Sequence, residues 1–280
     1  MSSNPTAAMN EVLLEPPRGW LNLRLREAWE YRELLYFFVW RDIKVRYKQT
    51  LLGATWAVIQ PVTTMIIFSV VFGMLAKLPS DGIPYPIFSY AALLPWQLFS
   101  KALSDASASL VSNQQLVTKI YFPKIFLPVS SILSGLVDFL ISIVILFGLM
   151  WYYGIPLTRN IVVLPALVLF ALATALAVAL WLASFNVRYR DVKYVLPFLT
   201  QIWLYATPVA YSSTMIPEQW RGLYGLNPMA GVVEGFRWAL LGSQVTSSSL
   251  IGVSILAVVP MLVGGVIYFQ RMERTFADII

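Results

Sequence analysis

Six apolar stretches, each about long enough to cross a bilayer, occupy most of the chain after residue 50: 51–76, 83–99, 125–152, 161–185, 194–210 and 250–269. A hydrocarbon core needs roughly 17–25 helical residues. Only helices satisfy all of their backbone groups within one segment in lipid. The pattern therefore predicts an all-α membrane protein with six transmembrane helices. Stretches two and five are short and interrupted, by Pro86 and Pro95 in one and by Pro197 and Pro208 in the other. They are expected to be tilted, broken or lining something wet.

Composition agrees, and it excludes. Hydrophobic residues make up 58% of the chain and charged residues 12%, against about 25% charged in an ordinary soluble domain. The net charge of +6 reads as basic loops on one side of a membrane, so no nucleic-acid partner is expected. The chain has no Cys and no His. Disulfides, the usual zinc sites, haem ligation by His, and Ser-His or Cys-His nucleophilic pairs are thereby ruled out. No metal, catalytic residue or bound cofactor is expected. No Lys is followed by Ser or Thr, so a Walker-type phosphate loop is missing too. The chain is not expected to hydrolyse ATP itself.

Six crossings put both termini on one side. Every Lys and Arg except Lys77, Arg159, Arg221 and Arg237 falls in the N-terminal segment, after stretch two, after stretch four, or at the C-terminus. Cytoplasmic loops collect Lys and Arg, so both termini are expected in the cytoplasm. The first fifty residues are no secretory signal, because acids and bases are mixed and no short apolar core precedes a cleavage site. Over 20–40 a helical wheel gathers Leu21, Leu25, Ala28, Trp29, Leu35 and Tyr36 on one face, with Arg26, Glu27, Glu30 and Glu33 opposite. Such a helix either lies in the cytoplasmic interface or docks on protein; we take the interfacial reading. The chain then divides into residues 1–40, a tail with this amphipathic helix, and residues 41–280, the six-span domain.

Two rows of residues mark helix faces. Ala171, Ala175, Ala179 and Ala183 form a small-residue seam suited to close helix packing in lipid. Ser130, Ser134, Asp138 and Ser142 form a polar face around the one ionisable group well inside a stretch. A carboxylate there costs about 2.5–3.5 kcal/mol on insertion scales, so Asp138 must be protonated, hydrogen-bonded or facing water. It is either a relay or substrate contact, or a buried structural hydrogen bond. With no second ionisable partner visible, the structural reading is favoured. On the outer side, 77–82 and 153–160 are short, whereas 211–249 is long and rich in aromatics. Disorder does not suit that composition; short helices over the outer mouth of a pathway do, with Trp220, Tyr224, Phe236 and Trp238 as an outer gate.

Four motifs occur in register. They are Arg46-Tyr47-Lys48-Gln49-Thr50-Leu51-Leu52-Gly53 leading to Trp56-Ala57 and Gln60-Pro61; Lys119-Ile120-Tyr121-Phe122-Pro123-Lys124 with Leu127-Pro128; Asn186-Val187-Arg188-Tyr189-Arg190-Asp191-Val192; and Thr207-Pro208-Val209 running through Ile216-Pro217 and Asn227-Pro228-Met229 to Phe236-Arg237. Together they resemble the membrane-spanning permeases of ABC exporters for O-antigen, capsule and teichoic-acid-type polysaccharides. The likeness covers residues 40–240.

The resemblance implies a multi-pass protein of the bacterial cytoplasmic membrane, working as a homodimer around a shared channel. Two copies of an ATP-binding cassette ATPase, carrying the ATP and Mg, would supply the energy. A coupling helix would lie in 113–124, with Tyr121, Phe122, Pro123 and Lys124 touching the ATPase. Arg188, Arg190 and Asp191 would have a lesser coupling role, or serve only as positive-inside anchors. The cargo would be a lipid-linked polysaccharide arriving from the surrounding membrane lipids. Its head group would be admitted near the basic segment Arg41, Lys44, Arg46 and Lys48. A sugar ring packs its C–H face on aromatic faces, so Trp56, Phe72, Tyr90, Trp96, Phe99, Phe198, Trp203 and Tyr205 are expected along the path. Their alternative is the aromatic belt of any membrane protein. Two other classes stay open. One is an ion-coupled carrier or flippase using Asp138, which would need several intramembrane ionisable groups. The other is a glycan ligase or polymerase using the outer carboxylates Asp81, Glu218 and Glu234.

Overall fold

α1 (Arg32–Lys48) opens the structure, a computed structural model that describes residues 29–48, 55–243 and 248–279. The tail, the first part of the amphipathic pattern, and 49–54 with part of the first motif lie outside the described residues. α1 contains neither Gly nor Pro. It carries Glu33 in its first turn and Arg46 and Lys48 in its last, charges that suit the helix dipole at both ends. It runs unbroken through residue 40, so the boundary drawn there falls inside one helix.

The facing of α1 differs from the wheel. Phe38 is buried, with Tyr31, Leu34 and Leu35 packed beside it, while Trp29, Tyr36, Phe37 and Trp40 are exposed. The cause is a specific slot: the Phe38 ring meets the Phe122 ring edge-on, centroids 5.4 Å apart. The helix is docked on protein along one side and shows aromatics on the other.

α2 (Trp56–Phe68) passes into a π-helical turn (Ser69–Leu75). α3 (Tyr85–Ser112) begins at Pro84-Tyr85-Pro86, where a proline's missing N–H costs no helical bond. α4 (Gln114–Lys119), α5 (Phe126–Tyr152), a 3-10 turn (Arg159–Val163) running into α6 (Leu164–Arg188), and α7 (Val192–Tyr205) follow. A second 3-10 turn (Ser213–Met215), α8 (Glu218–Tyr224), α9 (Pro228–Leu241) and α10 (Ser248–Ile279) complete the chain. Among the described residues every regular element is a helix.

Among the described residues four helices are long and apolar enough to cross a membrane: Trp56–Leu75, Phe126–Tyr152, Arg159–Arg188 and Leu250–Phe276. The two interrupted stretches fall short of that standard for different reasons. α3 has 28 residues, ample length, but its second half carries Ser100, Lys101, Ser104, Asp105, Ser107 and Ser109. α7 has 14 residues, about 21 Å at 1.5 Å per residue, against a core of roughly 30 Å.

The protected core is built around α3, which packs on α5, α6, α9 and α2. Nearly every residue from Ile87 to Phe99 is buried. α6 lies between α3 and α10, and its Ala171, Ala175, Ala179 and Ala183 seam is fully buried. α9 is closed at both ends. The Asn227 side chain accepts from the Met229 N–H at 3.2 Å, and Gly242 ends the helix in the left-handed region at φ +67°. A Cβ on Gly231 would lie 2.6 Å from the Ser254 side chain of α10, so only glycine allows that approach. The segment expected to cap the outer mouth is therefore mixed. α8 is largely exposed, whereas α9 is buried among α3, α6 and α10.

A smaller cluster joins Phe38 of α1, Val117 of α4, Phe122, Phe126, Val187, Phe269 and Phe276. It gathers the N-terminal helix, the α3–α5 connection and the C-terminal helix at one end of the bundle. Ala175→Leu should overpack the small-residue seam and cost about 1–3 kcal/mol, read as a lower unfolding temperature in detergent. Leu169→Ala, on an exposed face of the same helix, should leave that temperature nearly unchanged.

Candidate functional site

At the end where α1, α4 and α10 meet, the backbone turns through Ile120 to Ile125. Tyr121 is 55% exposed and Phe122 is 3% exposed. The two neighbours expected to share a docking surface thus face opposite ways. Extended backbone at Ile120 sends successive side chains to opposite sides, and Phe122 fills the slot beside Phe38. Lys124 is tied down: its backbone N–H donates to Glu273 Oε1 at 2.9 Å and its Nζ to the Glu273 carbonyl at 3.4 Å. Pro123 is half-buried beside it. Arg188, Arg190 and Asp191 are exposed around the tight turn between α6 and α7, with the Arg188 guanidinium 5.5 Å from the Tyr189 ring.

The expected path residues separate into two groups. Tyr90, Trp96 and Phe99 are buried within the subunit. Trp203, half-buried, closes on them, with its ring 5.0 Å from Phe99 and 6.5 Å from Trp96. Its indole N–H donates to Asn227 Oδ1 at 2.8 Å, and the Tyr90 hydroxyl donates to the Ser142 carbonyl at 3.1 Å. The reason is α3's central position, which surrounds the aromatics of this broken stretch with protein. Trp56, Phe198 and Tyr205 are exposed and Phe72 is half-buried, on α2, its π turn and α7. Those elements also leave Ile66, Ile67, Val70, Val71, Leu199 and Ile202 uncovered.

The end of the bundle opposite Tyr121 and Phe122 is knitted by polar contacts. The Arg237 guanidinium, 1% exposed, lies 3.6 Å over the Phe88 ring. It donates to the Val209 carbonyl at 2.9 Å, the Tyr211 carbonyl at 3.3 Å and Glu234 Oε1 at 3.3 Å. Asp81 accepts from the Ser212 hydroxyl at 2.5 Å and the Thr214 hydroxyl at 3.2 Å. The Tyr224 hydroxyl donates to the Ala206 carbonyl at 2.6 Å and sits 2.7 Å from the Tyr211 hydroxyl. Burial, reinforced by the Tyr211 contact, holds the Tyr224 phenol above its usual range, so it stays neutral. Of the four expected gate residues, Trp220 is exposed, Tyr224 and Trp238 are half-buried, and Phe236 is buried against Phe139.

The basic segment holds the feature that sequence reasoning missed. Arg46 bridges two helices: Nη1 donates to Asp138 Oδ2 on α5 at 2.8 Å, and Nη2 to Asp105 Oδ2 on α3 at 2.9 Å. Nη1 also reaches the Ser134 carbonyl at 3.3 Å and Nη2 the Ser134 hydroxyl at 3.2 Å. The Tyr47 hydroxyl donates to Asp138 Oδ1, and Lys101 Nζ lies 3.7 Å from Oδ2. Burial, then the Asp138 bond, keeps the Tyr47 phenol well above its ordinary pKa, so it remains a donor. One turn earlier, Ser130 donates to Asp42 Oδ2 at 3.1 Å, while Arg41 holds Oδ1 at 2.8 Å. Asp138 therefore has ionisable partners. They come from α1 and α3, which a reading confined to α5 could not see. A carboxylate inside an apolar stretch signals a need for counter-charge, and Lys101 and Asp105, one turn apart on a helix, were the available hint. Arg46 and Arg41 are occupied by carboxylates. Lys44 and Lys48 are exposed, Lys44 with its Nζ 5.2 Å from the Trp40 ring.

Long apolar helices around a central polar-stapled helix define a multi-pass membrane protein. The ABC-2 type transporter pattern matches residues 33–241, and the chain belongs to that family of membrane transport subunits. It is 31% identical over 260 residues to the O-antigen export system permease protein RfbA of Myxococcus xanthus, covering 91% of this chain and 98% of that one. To a protein of the same name from Klebsiella pneumoniae it is 25% identical over 249 residues, 89% of this chain and 95% of the relative. The polysialic acid transport protein KpsM of Escherichia coli is 23% identical over 242 residues, 83% and 91%.

Phe122→Ala should cost about 3–5 kcal/mol through the cavity it leaves, measured by thermal unfolding in detergent. Tyr121→Ala should cost a small fraction of that.

Proposed function

We propose that this chain is the permease subunit of an ATP-driven exporter that moves a lipid-linked, O-antigen-like polysaccharide across the bacterial cytoplasmic membrane. The observation that carries the reading is end-to-end similarity, 31% identity over 91% of the chain, to a relative named as an O-antigen export permease. A capsule-type polymer is the neighbouring alternative, supported at 23% identity by KpsM. Teichoic-acid-type export belongs with it.

Energy comes from two copies of an ATP-binding cassette ATPase, which hold ATP and Mg; this chain has no phosphate loop and binds no cofactor of its own. A second copy of the chain closes the channel. α3 and α7 join the four long apolar helices to make six crossings. The polar half of α3 buries Ser107 and Ser109 and leaves Lys101 and Ser104 exposed, and α7 is extended by residues 206–210. Six crossings and the distribution of Lys and Arg put both termini in the cytoplasm, together with the cluster that joins α1, α4 and α10. The exposed Tyr36, Phe37, Trp40 and Lys44 of α1 then suit the lipid interface.

The ATPase docks on α4 and Tyr121, with Pro123 and Lys124 bracing the turn from behind. Arg188, Arg190 and Asp191 form a lesser contact at the same end. The saccharide slides along Trp56, Phe72, Phe198 and Tyr205, whose ring faces match sugar C–H faces without strong hydrogen bonds. Lys44 and Lys48 take the phosphate-bearing head group, and α8, with Trp220 and Tyr224, gates the outer side. The ion-coupled carrier is disfavoured, because Asp138 is neutralised by Arg46 and Lys101 at 2.8 and 3.7 Å.

A tagged chain purified from its source cells should bring down an ATPase that contains a phosphate loop. Tyr121→Asp should release that ATPase and lower polysaccharide export about tenfold or more, with the permease still inserted. ATPase binding and export both persisting in that variant would refute coupling through this loop.

A further inference from the structure

α1 touches both the loop that presents Tyr121 and the polar face of α5. Its Phe38 ring packs on Phe122 at 5.4 Å. Eight residues further on, about 12 Å along the helix axis, Arg46 and Tyr47 hold Asp138. The Arg46 guanidinium meets a carboxylate from α5 at 2.8 Å and one from α3 at 2.9 Å. Its planar fork can serve two carboxylates together, a geometry that a lysine ammonium does not reproduce. Apolar packing tolerates sliding, but short charge-assisted bonds are directional. These bonds, with Asp42 on Ser130 one turn earlier, set the rotation and register of α1 against α5. Arg46 and Lys101 balance Asp105 and Asp138, so the cluster has no net charge to attract an anionic head group. Its arrangement is that of a joint.

We propose that the Arg46–Asp138–Asp105 joint transmits movement of the ATPase-facing loop to α5 and α3, making Arg46 and Asp138 positioning residues for transport. The idea rests on the permease reading above. Movement of the loop at Phe122 turns α1 as a lever, and the joint carries α5 and α3 with it.

The test uses the complex of this chain with its own ATPase. ATP hydrolysis is measured in proteoliposomes. Export is measured as surface polysaccharide on carbohydrate-stained gels from source cells carrying the variant in place of the chromosomal copy. Asp138→Asn and Arg46→Gln should lower export per ATP hydrolysed about fivefold or more, with complex yield and hydrolysis within about twofold of the parent. Arg46→Lys should fall between, and Val45→Ala, exposed on the same helix, should match the parent. If Asp138→Asn fails to accumulate, Asp105→Asn, which breaks only the arm to α3, carries the same expectation. Because the chain has no cysteine, spin labels on Val45→Cys and Leu140→Cys, both exposed, can report the α1–α5 distance. The parent should keep one narrow distance with and without nucleotide, and Asp138→Asn should broaden it. An unchanged export-to-hydrolysis ratio in every joint variant would overturn the proposal. So would export and hydrolysis falling together with complex yield, or a broad distance in the parent. Failure of the permease reading itself would show differently, as a parent chain recovered without any ATPase.

Discussion

A carboxylate on a helix that runs through lipid must be given a counter-charge, and in this protein the need is met from outside α5. Asp138 receives Arg46 and Tyr47 from α1 and Lys101 from α3. That one requirement explains much of the architecture. α1 has too few inward apolar residues to be held by packing alone, since only Phe38 along its length is buried. The ion pairs and the Asp42–Ser130 bond supply the rest. They also allow the second half of α3 to carry Lys101 and Asp105 inside a membrane domain, because Arg46 and Asp138 neutralise them in place.

α3 then becomes the element around which the others are arranged. Its first half is buried on nearly all sides, so Tyr90, Trp96 and Phe99 act as packing surfaces. Its second half supplies Asp105 and Lys101 to the ion pairs with Arg46 and Asp138. Aromatic and branched side chains of α2, its π turn and α7 remain uncovered, as do others on α5, α6 and α10.

The two ends of the bundle are built in different ways. At the end that begins α3, Arg237 is buried under Phe88 and spends its donors on carbonyls of the 206–216 segment, fastening α9 to the chain that precedes it. At the other end rings pack on rings, Phe38 on Phe122 and Phe269 on Phe276, beside the Lys124–Glu273 hydrogen bonds, with Tyr121 exposed. Directional bonds hold the first end in one arrangement. Ring packing at the second end is less directional.

Much of this was legible in the residues. Hydrophobic runs of bilayer length dictated helices, the alanine row of α6 dictated a close seam, and the absence of His, Cys and a phosphate loop excluded whole classes of chemistry, because each depends only on local composition and spacing. Motifs in register placed the chain in its family for the same reason. Which way Phe122 points, which aromatics of α3 are enclosed, and who neutralises Asp138 were decided by tertiary structure alone. Each of those answers is a contact between residues dozens of positions apart, and burial and pairing at such distances are properties of the packed bundle that no local pattern carries.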